Sequence, residues 1–145
     1  MSGIANQTAA IVTVEPYRFD AFISYSHRDA AFARRLHRAL SAYHPPGELR
    51  VPQRRLRVFR DESDFQGPEY GAALAAMLES ARVLLVICSP NARRSTYVGD
   101  EIERFIALRG PSSIACVLVA GQPSNQDGVG CRLRARRGFP GDRAW

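Results

Sequence analysis

Two uninterrupted apolar runs, Val83 to Cys88 and Ile114 to Val119, constrain this chain more than any other feature. A strand with one wet face alternates apolar and polar side chains, so a strand apolar at every position needs cover on both faces. Runs of this length are far below the roughly 20 residues of a membrane-crossing helix. They therefore read as buried strands of a parallel sheet.

Elsewhere the spacing alternates between strand-like and helical. Arg18 to Ser24 is a short apolar-rich strand, and Leu56 to Phe59 is another. Between them Phe32, Leu36, Leu40 and Tyr43 recur at helical spacing, with Arg34, Arg35 and Arg38 on the other positions. Ser26 followed by Asp29 three residues later is a capping-box-like start, and His44-Pro45-Pro46-Gly47 is a stop. A second helix is expected to begin near Pro68, with Leu74, Leu78 and Ala81, and Met77 beside them, as its apolar face. Ser89-Pro90-Asn91 breaks the third strand. A third helix then runs from about Thr96 to Arg109, burying Val98, Ile102, Phe105 and Ile106, and Gly110-Pro111 ends it.

Strands alternating with helices predict an α/β fold with a parallel sheet and helices on both faces. Such sheets bind ligands beyond the carboxyl ends of their strands. The loops after Ser24, Phe59, Ser89 and Val119 are thus expected on one rim. Residues 1–16 read as a flexible leader, 17–120 as the domain, and 121–145 as an Arg/Gly-rich tail or the divergent end of the domain. The N-terminus lacks the basic start and apolar stretch of a secretory signal, so the expected location is cytoplasmic.

The net charge is +6, and all 20 basic residues are arginine. Five of these arginines lie after residue 121, against only Asp127 and Asp142. No aromatic-basic motif accompanies them, so nucleic acid is not an expected partner, and neither is a membrane. Cys88, Cys116 and Cys131 have no CxxC spacing; Cys88 and Cys116 lie in apolar runs and read as buried free thiols. His27, His37 and His44 have no metal-like spacing, and His37, among helix arginines, reads as a surface residue. No metal site, Ser-His-Asp constellation or P-loop is expected.

Four segments resemble TIR (Toll/interleukin-1 receptor) domains of the bacterial type. Phe19 to Ser26, FDAFISYS, resembles the family's opening box. Leu56 to Glu62, LRVFRDE, resembles its second strand and the start of its BB loop. Val83 to Asn91, VLLVICSPN, resembles the third strand and its Ser-Pro turn. Ser95 to Ile102, STYVGDEI, resembles the segment that carries the catalytic Glu in NAD-cleaving members. The resemblance implies a flavodoxin-like, three-layer fold about a central parallel sheet. The family commonly has Trp where this chain has Tyr97. It also continues into a fifth strand and a final helix, for which no match is found after Gly121.

The resemblance makes Glu101 the candidate catalytic residue. Tyr97 lies one helical turn before it on the same face, with Ile102 and Phe105 alongside, so the carboxylate sits at the margin of an apolar face. One carboxylate suffices for the chemistry. The nicotinamide of NAD+ is already cationic and leaves without a proton, and the ribose develops oxocarbenium character that an anion stabilises. Ser24, Tyr25 and Ser26 end the first strand and are candidates to line a nucleotide pocket, with turn formation and helix capping as their alternative role. Tyr25 can stack on a ring, the following helix start favours phosphate, and Arg28 is a candidate phosphate contact. Arg60, Asp61 and Phe65 belong to the BB-like loop, read either as a polar surface loop or as a lid and self-assembly contact.

Two functions follow. In one, the protein hydrolyses NAD+, its substrate and not a bound cofactor, to nicotinamide and ADP-ribose or a cyclic form upon self-assembly, in a setting of bacterial immunity. In the other, it is a non-catalytic module that signals by TIR–TIR binding through the BB-like loop. A phosphoacceptor receiver shares the element order but needs clustered acids after the first strand and a Lys, and this chain has no Lys. A nucleoside deoxyribosyltransferase-like enzyme also uses a Glu on a small α/β fold.

Overall fold

A computed structural model describes residues 16–49, 51–61 and 68–120, with residues 68–70 described for their backbone alone. The elements run β1 (Phe19–Ser24), α1 (Ala30–Ala42), β2 (Val58–Arg60), α2 (Pro68–Glu79), β3 (Ala81–Cys88), α3 (Pro90–Arg94), α4 (Thr96–Arg109) and β4 (Ile114–Leu118). The four strands form one sheet in the order β2-β1-β3-β4, and every pairing is parallel.

Period-two alternation sorts the strand residues between two cores. Phe22, Leu84 and Val86 face α2 and α4, where they pack with Leu78, Val98, Ile102 and Phe105. Ile23 and Ile87 face the other way and pack with Ala33, Phe32, Leu36 and Leu40 of α1. The three layers expected from the alternating pattern are therefore present, with α1 on one face and α2 and α4 on the other. Ser24 has the parity of Phe22, so it points toward α4. Because β1 and β3 are neighbours but the chain leaves them on opposite faces, the rim between them is the topological switch point of the sheet.

Several local expectations are corrected. Ala81 opens β3 and is not part of the helix before it. Tyr43 follows the last residue of α1, takes an extended conformation and is 47% exposed, so it does not join the apolar face. No capping box forms at Ser26. Residues His27–Asp29 make a 3₁₀ turn closed by Asp29 N–H donating to the Ser26 carbonyl at 2.7 Å, and neither Ser26 nor Asp29 caps through its side chain. The Asp29 carboxylate is engaged elsewhere, as described below. His37 is half-buried, with Nε2 3.1 Å from the Val58 carbonyl, so it ties α1 to β2. The Ser89-Pro90-Asn91 break is itself the start of a short helix, α3, with the Ser89 hydroxyl accepting from Ala92 N–H and Pro90 at its first position.

β4 is apolar as read, but among the described residues it pairs only with β3. Ala115, Cys116 and Leu118 are exposed, so Cys116 is not the buried thiol its apolar run suggests; Cys88, at the carboxyl end of the inner strand β3, is buried. Cys131 and the 121–145 segment lie outside the described residues, as do residues 1–15. No helix among the described residues is long and apolar enough to cross a membrane.

The connector before β2 is anchored by one acid. Asp20 of β1 accepts two hydrogen bonds from the Arg54 guanidinium, at 2.7 and 3.0 Å, and a third from Arg57 N–H at 2.7 Å. Burial pushes the Asp20 carboxyl up, but Arg54 and Arg57 outweigh it and hold it below its ordinary value.

Candidate functional site

α4 carries the carboxylate that the site is built around. Its first turn is capped by Ser95, whose hydroxyl accepts from Val98 N–H, and it stops at Gly110. Gly110 adopts φ +79°, a left-handed conformation that favours glycine, and donates its N–H back to Ile106. Val98, Ile102 and Phe105 turn inward and hold the helix on the sheet. Glu101, one position before Ile102, is carried to the edge of that interface and ends 7% exposed. Among the described residues it is the one charged side chain that is buried.

The Ser24 hydroxyl donates to Oε2 of Glu101 at 2.5 Å, across 77 positions of sequence. A carboxylate so enclosed loses hydration that its charged form needs, and burial is the main reason its pKa rises to about 7. The Ser24 hydrogen bond acts against that rise, the Asp61 and Asp100 charges add to it, and Arg104 opposes it. Glu101 is therefore poised between its ionised and protonated forms near neutrality. A group in that state can accept hydrogen bonds from sugar hydroxyls or stabilise a developing cation.

A second cluster lies beside it on the same rim. The Tyr25 hydroxyl donates to the Asp61 carbonyl at 2.5 Å and accepts from Arg60 Nη1 at 3.0 Å. The Arg60 guanidinium also lies 5.8 Å from the centre of the Tyr25 ring, within cation–π range. The start of the BB-like loop is thus tied to the end of β1. Behind these groups, Asp29 accepts from the Ser89 hydroxyl at 2.5 Å and from Asn91 Nδ2 at 2.9 Å. This joins the turn after β1 to the turn after β3 across the switch point.

Of the residues expected at the site, Ser24 and Glu101 touch each other, and Tyr25, Arg60 and Asp61 form the adjoining cluster. Ser26 is buried and serves through its backbone carbonyl. Arg28 is exposed on the turn. Tyr97, one turn before Glu101, is 44% exposed, unlike the fully buried Val98 beside it. Phe65 lies outside the described residues. The sequence offers Asp29 as a capping acid and Ser89 and Asn91 as part of a strand break, and assigns none of them to the site. The hint available was the Ser-Pro turn after β3, which the strand order sets beside the turn after β1. Among the described residues no group of three or more His, Cys, Asp or Glu side chains could hold a metal ion.

Comparison with known proteins places these observations in a family context. The model of a TIR domain family matches residues 21–139. The NAD(+) hydrolase ApTIR of an Actinoplanes species is 31% identical over 111 residues, which are 72% of this chain and 14% of that protein. The chain thus spans a small part of that relative's length. Among solved structures, the TIR domains of the activated Roq1 resistosome, which directly recognises the pathogen effector XopQ, align with a TM-score of 0.49 and 19% identity. That alignment covers 69% of this chain and 55% of the other.

Proposed function

The chain belongs to the TIR domain family, and from that premise we propose that it hydrolyses NAD+, with Glu101 as the catalytic carboxylate. The observation that carries the reading is the burial of Glu101 on the rim of the sheet, where parallel α/β folds take their ligands. The 31% identical relative named an NAD(+) hydrolase supports it.

The bond that breaks joins the ribose C1′ to the nicotinamide nitrogen. Its electron pair passes to the pyridinium ring, which leaves as neutral nicotinamide and needs no general acid. The sugar left behind is cationic at C1′, and the ionised form of Glu101 stabilises it or holds the ribose hydroxyls. Water then adds at C1′ and releases a proton, giving ADP-ribose; attack by a ring nitrogen of the substrate's own adenine gives a cyclic product. Tyr25 and Arg60, beside Glu101, offer an aromatic face and a cation to the nucleotide. Self-assembly through the BB-like loop completes the working state. The activity belongs to the cytoplasm, where NAD+ is available, and to bacterial immune signalling.

A second reading, a TIR module that signals by TIR–TIR binding alone, is favoured by the exposure of Tyr97 at 44%. A half-exposed aromatic residue is a natural contact for a partner. Release of nicotinamide from NAD+ at high protein concentration separates the two. The hydrolase reading expects turnover in wild type and loss of it in Glu101→Ala. Turnover that survives this substitution refutes the assignment of Glu101. Assembly in light scattering with NAD+ left intact establishes the second reading.

A further inference from the structure

We infer that Ser24 is a positioning residue for this reaction, pinning Oε2 of Glu101 so that Oε1 alone is presented to the ribose. The inference rests on the proposed role of Glu101.

Ser24 is the last residue of β1 and pairs with Val86 of β3, in the middle of the sheet. It is 1% exposed, so neither its backbone nor its hydroxyl is free to serve bulk solvent. A hydroxyl has one proton to give, and Ser24 gives it to Oε2 of Glu101. A free glutamate side chain turns about three bonds, and fixing it costs entropy that a bond from a rigid strand supplies before substrate arrives. Oε1 has no hydrogen-bond partner among the described residues, yet it is not among the fully enclosed side-chain atoms left without one. The small exposed part of Glu101 is therefore the route by which a ribose hydroxyl reaches Oε1. Ser24 is too enclosed to touch substrate itself, so it acts through Glu101.

A merely structural Ser24 would satisfy a buried polar group and do no more. A positioning Ser24 has a further effect, because a hydrogen bond to the charged form of a carboxylate favours that form. The charged groups facing Glu101 are Asp61 at the end of β2 and Asp100 and Arg104 on α4. All three stay in place when Ser24 is changed, so a shift in titration reports the lost hydroxyl.

The test follows the Glu101 side-chain carboxyl by ¹³C NMR across pH, without NAD+, in wild type, Ser24→Ala and Ser24→Thr. The pH profile of nicotinamide release is measured on the same proteins. Loss of one charge-assisted hydrogen bond is expected to raise the Glu101 midpoint by about one pH unit. From a midpoint near 7 that leaves about a tenth of Glu101 ionised at neutrality in place of half, lowering kcat about fivefold at pH 7. KM should change by less than about twofold, and most of the loss in kcat should vanish by about pH 9. Ser24→Thr, which keeps the hydroxyl, restores the wild-type midpoint. If Ser24→Ala titrates and turns over like wild type, the inference is overturned. If Ser24→Ala does not fold, Ser24→Cys, whose thiol donates weakly, makes the same comparison with the same two outcomes. Wild type that releases no nicotinamide refutes the hydrolase reading, and with it the catalytic role of Ser24, while the titration still reports the hydrogen bond.

Discussion

Replacing Glu101 with Gln removes a charge from a site that resists charge, and the consequence for stability can be worked from the burial. In the unfolded chain Glu101 ionises near 4.5, whereas in the fold its pKa is about 7. Between those values the folded protein holds a proton that the unfolded chain has released, so stability falls as pH rises through this window. Below about pH 4.5 both states are protonated and the penalty is absent; above about pH 7 it is complete. The separation, at 1.36 kcal/mol per pH unit, corresponds to about 3 kcal/mol. Glutamine has nearly the same shape, keeps an acceptor for the Ser24 hydroxyl and does not ionise. Glu101→Gln is therefore expected to gain stability relative to wild type by about 3 kcal/mol between pH 4.5 and pH 8. Urea unfolding of the two proteins at several pH values measures this difference, in which all other titrating groups cancel. On the proposed hydrolase function the same variant is expected to lose NAD+ cleavage, a gain of stability at the expense of activity. A stability difference that does not change with pH would show that Glu101 is not held in a desolvating environment.

The remaining predictions concern the frame around that carboxylate. Phe105→Ala empties a fully buried position between α4 and the sheet and should cost about 3–5 kcal/mol in chemical denaturation; a loss under about 1 kcal/mol would mean that α4 is not packed as described. Asp20→Asn removes the ionic anchor of the connector. Because the Asp20 pKa is held down, its contribution is present at neutral pH and lost as pH falls through the folded value. The variant should thus be less stable by about 2 kcal/mol at pH 7 and should converge with wild type in acid. Tyr25→Phe loses the bond to the Asp61 carbonyl and the bond from Arg60. It should cost about 1–2 kcal/mol in chemical denaturation and, by releasing Arg60, raise KM for NAD+ severalfold; an unchanged KM would show that the Tyr25 hydroxyl does not hold Arg60 for the nucleotide.

What was legible depended on whether a signal was local. The β3 run and the spacing of Val98, Ile102, Phe105 and Ile106 each report burial within one element; Leu84, Val86, Ile87, Cys88, Val98, Ile102 and Phe105 are buried as expected, and Val83, Leu85 and Ile106 are half-buried. Glu101 at the margin of that helical face follows from the same spacing. Cys116 misled because an apolar run records the company a strand keeps on average and not its place in the sheet; at the outer position among the described strands its side chain is exposed. Asp29 misled for a related reason. Its distance from Ser26 fits a local cap, but its carboxylate has better partners in Ser89 and Asn91, which only the neighbouring β3 brings near.

The sequence by itself determined the layers of this fold and the helix on which Glu101 rides, because strand and helix periodicities are local properties of the chain. Only the tertiary structure decided that β1 lies beside β3, that Ser24 therefore faces α4, and that its hydroxyl meets Glu101. That contact joins residues 77 positions apart, and no periodicity within either element encodes it. Burial, set by the packing of the whole sheet against α4, then lifts the Glu101 pKa from an ordinary carboxylate value to about 7.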